Sequence, residues 1–345
     1  MIIILTIFLF SVIFNSLLYV PFINLLYRIR FQRRKQETKD AFEKPTPIFD
    51  ELHKGKVGVP VGGGILVILT TIIFFPLMLI LMRLFYVPIT QVFPWQWEMA
   101  IFIFTFLSFG LLGLLDDLKK TFALSPKGFF GLRLRHKLLI EVVLAGIIAC
   151  ALYFGLKIDI VHVPFFGVLD LGWFFIPFAL ITIIAFSNAY NITDGLDGLA
   201  GGVLMISLMV FLVISASILD ASMSVFIALW LGGVVAFLYF NVFPARIILG
   251  DVGALSFGAT LAVVGLLLGK TFAFIVIGGV FVVEVASSLF QLLSKRFLKR
   301  KFMTVAPLHL WLQYHGWQEP KVVMRFWIIS IILSGFGLWL AVLTQ

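Results

Sequence analysis

The chain runs to 345 residues, of which 61% are hydrophobic and only 12% charged, with a mean hydropathy of +1.12. A soluble domain cannot hide that much apolar surface, so composition excludes one and points to a polytopic membrane protein. The net charge of +9 reads as cytoplasmic loops obeying the positive-inside rule rather than as nucleic-acid binding, and a single cysteine, Cys150, rules out an internal disulfide.

The first twenty residues carry no basic n-region and no small-residue cleavage site, so they read as a retained first span. Apolar runs able to cross a bilayer fall near 1–27, 61–86, 98–115, 138–156, 173–190, 199–216, 223–241, 254–269, 272–293 and 326–344. Of the 26 basic residues, 23 fall in alternate loops and only Arg83, Lys157 and Lys270 on the other side. That asymmetry predicts an all-α membrane protein of ten transmembrane helices, with both termini external and the loaded loops cytoplasmic. Residues 1–345 are expected to form one integral membrane domain.

Parity then places five carboxylates at one cytoplasmic face: Asp116 and Asp117 at the end of the third span, Asp194 after the fifth, Asp197 before the sixth and Asp251 before the eighth. The external acids Glu98, Asp159, Asp170 and Asp220 show no comparable grouping in sequence. Glu141 and Glu284 fall within spans, where a charge is costly unless paired; each reads equally as a functional group or as a paired structural acid.

Asn188-Ala-Tyr-Asn-Ile-Thr-Asp-Gly-Leu-Asp-Gly-Leu-Ala-Gly-Gly202 is the densest polar stretch in an apolar chain. If the fifth helix continues through it, Asn188, Asn191 and Asp194 share one face. Gly195 and Gly198 then break the helix, and Asp197 is expected to N-cap the next one. A capped turn explains Asp197 alone, but not the amide pair with Asp194. In Gly110-Leu-Leu-Gly-Leu-Leu-Asp-Asp-Leu-Lys-Lys120, adjacent carboxylates repel unless a cation lies close, which suits a general base or a metal ligand. Lys119 and Lys120 offer local neutralisation as the plainer reading. Asp251, between two glycines, suits a carboxylate aimed at a metal. In the last basic loop His309 and His315 can act near neutral pH. Lys54, Lys56 and Gly58-Val-Pro-Val-Gly-Gly-Gly64 offer a phosphate cradle or a flexible entry to the second span.

Acids on one face and basic residues in the other loops fit phosphoryl transfer to an anionic lipid through a divalent cation. An ion-binding transporter is the reading from a different class. Transport sites lie near mid-membrane, however, and these acids lie at one surface.

The order Asp116-Asp117 with Lys120, then NAYNITDGLDGLAGG, FNVFPARIILGDVGALSFG, APLH and GWQEPKVVMRFWIIS resembles the polyprenyl-phosphate sugar-1-phosphate transferases, and within them the muramoyl-pentapeptide branch. The resemblance covers nearly the whole chain. It implies a Mg²⁺-dependent reaction in the bacterial plasma membrane. Undecaprenyl phosphate attacks UDP-MurNAc-pentapeptide, giving lipid I and UMP; another UDP-sugar such as UDP-GlcNAc is the alternative donor. It implies catalytic roles for Asp116, Asp117, Asp251 and His309, and metal binding by Asp251 with Asn191 as neutral companion. Lys56, Lys120, Lys137, Asn188, Asn191, Asp194 and Asp197 are implied to contact substrate. A homodimer is compatible with it, and no nucleic-acid partner is expected. The chain departs from the family at His309-Leu310-Trp311, where three histidines are usual, and at Gly58–Gly64. It also has Ile248 in place of an aromatic residue and Ala254 in place of serine. These departures touch donor recognition and leave the carboxylates intact.

Overall fold

A computed structural model describes residues 2–32, 46–52, 54–122 and 131–343. Arg33, Arg34, Lys35, Lys39, Lys44 and Lys127, counted above among the basic loop residues, lie outside the described residues, as does the side chain of Lys54. Among the described residues nine helices are long and apolar enough to cross a membrane, or ten if one bent pair counts as a single span.

The elements in chain order are α1 (Ile2–Arg28), α2 (Pro47–Leu52), α3 (Gly63–Leu84), α4 (Trp95–Phe122) and α5 (Leu134–Cys150). A two-stranded hairpin follows, β1 (Ile160–Val163) against β2 (Gly167–Asp170). The second half holds α6 (Phe175–Thr193), α7 (Leu199–Ser217), α8 (Ala221–Asn241), α9 (Gly250–Leu267), α10 (Thr271–Ile277), α11 (Gly279–Phe297), α12 (Leu308–Tyr314) and α13 (Glu319–Leu343). Helices prevail because only a helix satisfies its own backbone in hydrocarbon.

Two helices, α8 and α9, are buried along most of their length and form the centre, with α1, α3, α4, α6 and α7 packed around them. Their contacts use small residues, which let helices approach where no hydrophobic drive separates protein from lipid. Ser11 Oγ donates to Leu229 O at 2.6 Å, and a side chain on Gly232 would collide with Ser11. An aromatic cluster fills the middle: Phe102 stacks on Phe226 at 4.2 Å, with Phe75, Phe106, Trp230 and Phe257 around them.

Three features differ from the sequence expectation. The third span does not end at 115; α4 continues to Phe122 and carries Asp116 and Asp117 on its buried side, each 3% exposed. Lys120, one turn beyond Asp116, neutralises it and removes the reason for the helix to stop. The tenth span starts at Glu319 rather than 326, because the charges of Lys321 and Arg325, which lie over the Trp317 ring, depress the hydropathy of its first turns. The ninth is broken at Gly278, α10 and α11 meeting at a 76° bend.

Beyond that bend α11 buries Val280, Phe281, Glu284, Gln291 and Ser294 and turns Val283, Leu289, Phe290, Leu293 and Phe297 outward, as a helix against lipid does. The polar face is consumed by the segment that follows. Gln291 Oε1 accepts from Phe302 N and Met303 N, both at 2.9 Å, and Ser294 Oγ donates to Arg300 O at 2.7 Å. Ser287 Oγ accepts from Leu308 N at 3.1 Å. This lacing returns the chain along α11 and delivers α12.

Two of the four acids expected on the external side come together, contrary to their scatter in sequence. Glu98 in the first turn of α4 and Asp220, which N-caps α8 through Met223 N at 3.0 Å, are both fully buried and face each other beside Ser222.

Candidate functional site

The glycine before Asp251 builds the first part of the site. Gly250 has φ +81°, a left-handed conformation that favours glycine, and a side chain there would press on Asp117 Oδ2. Asp251 thereby enters the first turn of α9, where a helix N-terminus favours negative charge. On the neighbouring helix Gly113 has no side chain to hold the backbones apart; an added Cβ would overlap the main chain of Asp251. The two helices therefore touch, and Asp117 Oδ2 accepts from Val252 N at 3.0 Å.

Two lysines fill the space between the carboxylates. Asp251 Oδ2 lies 2.9 Å from Lys120 Nζ and 2.9 Å from Lys137 Nζ. Asp116 Oδ2 lies 3.1 Å and 3.4 Å from the same two ammonium groups. Asp116 Oδ1 accepts from Leu132 N at 2.6 Å, tying the segment before α5 to α4. Asp116 of α4 and Asp251 of α9 thus share two cations, one from α4 and one from α5, while Asp117 is held by the Val252 amide. Beside them Asn188 Nδ2 donates to the fully buried Glu141 at 2.6 Å and to Ile184 O at 3.0 Å. Asn188 is therefore tied to α5 through Glu141, one turn beyond Lys137 on that helix.

A second cluster surrounds the turn between α6 and α7. Lys56 Nζ lies 2.8 Å from Asp197 Oδ1 and 3.1 Å from Glu319 Oε1, and donates to Gly195 O at 2.8 Å. Asp197 Oδ2 accepts from Ala245 N at 3.0 Å. Asp197 does not cap α7, contrary to expectation: Gly198, at φ +78°, takes the N-cap position, and the Asp197 carboxylate is committed to Lys56 and Ala245. Asp194 ends α6, its amide donating to Tyr190 O at 3.0 Å. Asn191 lies half-buried on α6 and makes no hydrogen bond to Asp251 among the described residues.

Residues 241–251 join the two clusters. Asn241 Oδ1 accepts from Gly198 N at 3.0 Å and its Nδ2 donates to Ile247 O at 2.9 Å. Ile248 O accepts from Gly62 N and Gly63 N at 3.1 and 2.9 Å, and Leu249 O from Gly64 N at 3.0 Å. The amides of Gly62, Gly63 and Gly64 are therefore spent on this segment rather than left free to cradle phosphate.

His309 is placed by α11. Its Nδ1 lies 2.9 Å from Glu284 Oε2, its backbone N–H donates to Glu284 Oε1 at 3.2 Å, and the residue is 1% exposed. Its Nε2 has no hydrogen-bond partner among the described residues and faces Gly195, where a side chain would collide with it. His315 is separate from the centre: it is exposed, with Nδ1 2.7 Å from Trp311 O and its ring against the Trp311 indole at 4.2 Å.

The donor set at the first cluster suits a hard divalent cation. Asp251 Oδ2 and Asp116 Oδ2 already converge on positive charge, and Mg²⁺ is commonly held by one or two carboxylates with phosphate oxygens completing the shell. Among the described residues no three His, Cys, Asp or Glu side chains surround one point.

Known proteins resemble this chain over most of its length. The model of glycosyl transferase family 4 matches residues 99–269, which include Asp116, Asp117, Lys120, Lys137, Asn188 and Asp251. Phospho-N-acetylmuramoyl-pentapeptide-transferases of Rickettsia massiliae (strain Mtu5) and Rickettsia montanensis are 35% and 34% identical over 330 residues. The match covers 90% of this chain and 86% of each relative.

Proposed function

We propose, for a chain that belongs to glycosyl transferase family 4 and within it to the phospho-N-acetylmuramoyl-pentapeptide transferases, that it makes lipid I at the cytoplasmic face of a bacterial plasma membrane. A phosphate oxygen of undecaprenyl phosphate attacks the β-phosphorus of UDP-MurNAc-pentapeptide. The bond between that phosphorus and the bridging oxygen breaks, and UMP leaves with the oxygen. The observation that carries this reading is the convergence of Asp116 and Asp251 on Lys120 and Lys137, with Asp117 held beside them by Val252 N.

One member of the Asp116–Asp117 pair accepts the proton of the lipid phosphate. Lys120 and Lys137 turn from carboxylate to phosphate charge as the two phosphorus centres meet, and cost little reorganisation because both are already oriented. Asp251, with Asp116 or Asn191 beside it, would hold Mg²⁺, which when bound polarises the phosphoryl oxygens. Lys56, Asn188, Asp194 and Asp197 form the donor wall. His309 presents Nε2 toward the Gly195 turn, its ring fixed by Glu284.

The test is UMP release by purified protein with undecaprenyl phosphate, Mg²⁺ and either UDP-MurNAc-pentapeptide or UDP-GlcNAc. Release from the muramoyl donor is expected. Release from UDP-GlcNAc alone would remove the muramoyl assignment, and full activity in excess chelator would remove the metal.

A further inference from the structure

Glu319 falls in the GWQEP stretch that carries part of the resemblance, with no role of its own assigned there, and the structure places it at the join of three segments. It stands in the first turn of α13, and its Oε1 accepts from Asp197 N at 2.6 Å and from Lys56 Nζ at 3.1 Å. Two turns further along the same helix, Trp327 Nε1 donates to Gly198 O at 3.1 Å, and its indole occupies the space a side chain on Gly202 would need. One helix thus grips the C-terminal end of the α6–α7 turn at two neighbouring residues, Asp197 and Gly198.

The backbone of that turn is otherwise tied from every side. Gly195 O accepts from Lys56, Asp197 N donates to Glu319, Gly198 N donates to Asn241, and Gly198 O accepts from Trp327. Of these partners only Glu319 contacts both the turn and the lysine that closes over it. Its side chain is 11% exposed, so water does not readily replace it. Removing it would orphan the Asp197 amide and leave Lys56 with Asp197 and Gly195 O, free to follow the carboxylate.

We infer that Glu319 is a positioning residue for the donor half of the site: it holds Lys56 in register with the 194–198 turn without touching the reacting phosphates. The inference rests on the proposed reaction only in that the donor is taken to lie against this turn. An oxygen acceptor at the Asp197 amide carries most of the role, and the negative charge toward Lys56 carries the remainder.

The experiment compares Glu319→Ala, Glu319→Gln and wild type, by steady-state UMP release with donor and lipid acceptor varied separately, and by hydrogen exchange of the peptide covering 190–202. In Glu319→Ala we expect donor KM to rise about tenfold, acceptor KM to stay within twofold and kcat to fall less than threefold. Exchange at the Asp197 amide should quicken. Glu319→Gln keeps the oxygen acceptor and should return donor KM to within threefold of wild type, with exchange restored. Equal changes in donor and acceptor KM, a loss confined to kcat, or no rescue by Gln would overturn the inference. If Glu319→Ala does not fold, Glu319→Met, which fills the same space without an acceptor, combined with Lys56→Met decides it, since additive effects on donor KM would mean the two side chains do not act together. A wild-type protein that turns over no muramoyl donor refutes the proposed reaction instead, and the exchange comparison then judges the clasp by itself.

Discussion

Alanine at Gly113 alters no charge and no polar group, yet it should disable the site. An added Cβ would stand 2.5 Å from Val252 N and closer still to the Asp251 carbonyl. Ordinary carbon–oxygen approach is about 3.3–3.6 Å, so α4 and α9 must part by roughly 1 Å. Two opposing effects then compete. Alanine in place of glycine favours a helix interior by about 1 kcal/mol. Overpacking costs about 1–3 kcal/mol, and here the obstacle is main chain that cannot swing aside. Net stability should fall by up to about 2 kcal/mol, visible as a modest drop in the unfolding midpoint in detergent. Turnover should fall further, because a misplacement of about 1 Å at reacting groups costs on the order of a hundredfold. Gly110→Ala is the control. Its Cβ would meet the flexible end of Ile68 at 3.2 Å and Ser256 Cβ at 3.8 Å, so UMP release should stay within a few-fold of wild type. Wild-type turnover in Gly113→Ala, or equal losses in both variants, would refute the claim that helix contact sets the carboxylate geometry.

The remaining expectations follow from other contacts. Glu284→Ala leaves His309 without either of its Glu284 contacts, a loss of about 2–3 kcal/mol, and should cut UMP release about a hundredfold, while Glu284→Gln recovers part of it. Equal rates in the two variants would mean that Glu284 does not orient the ring. Lys137→Met removes one of two cations facing Asp116 and Asp251 and should destabilise by about 3–5 kcal/mol in addition to lowering turnover; an unchanged midpoint would contradict the pairing. Glu98→Gln replaces one of two buried acids that face each other, so the midpoint should rise by on the order of 1 kcal/mol of stability with turnover within twofold. A fall in the midpoint would show that the acidic pair stabilises the fold.

Most spans were legible because hydropathy averages over twenty residues and needs no partner. The same averaging hid the break at Gly278: α10 and α11 together are apolar enough for one span, and direction leaves no mark on composition. It also ends the third span at the first charge, although α4 runs on to Phe122 with Lys120 neutralising Asp116 at i+4, the pairing that the sequence itself offers. Asp116, Asp117 and Asp251 were recognisable because each stands beside glycine or another acid in an apolar background. Glu284 and Glu319 were not, since their roles depend on partners 25 and 122 residues away, and a lone Glu in or near a span looks alike in either role. Asp197 was misread for a local reason: Asp before a helix is a common cap, but Gly198 adopts the left-handed turn one residue later.

The lysines that face Asp251 also bear on how the chain is assembled in the bilayer. Asp116 has both of its cations, Lys120 one turn on at 3.1 Å and Lys137 at 3.4 Å, within the hairpin formed by α4 and α5. That pair can therefore enter the membrane with its Asp116 charge already compensated. Asp251 follows more than a hundred residues later and finds both ammonium groups waiting at 2.9 Å. Docking of α9 is then the step that creates the site, and a chain truncated before it should insert the seven spanning helices that precede it, α1 and α3–α8, yet hold no catalytic centre.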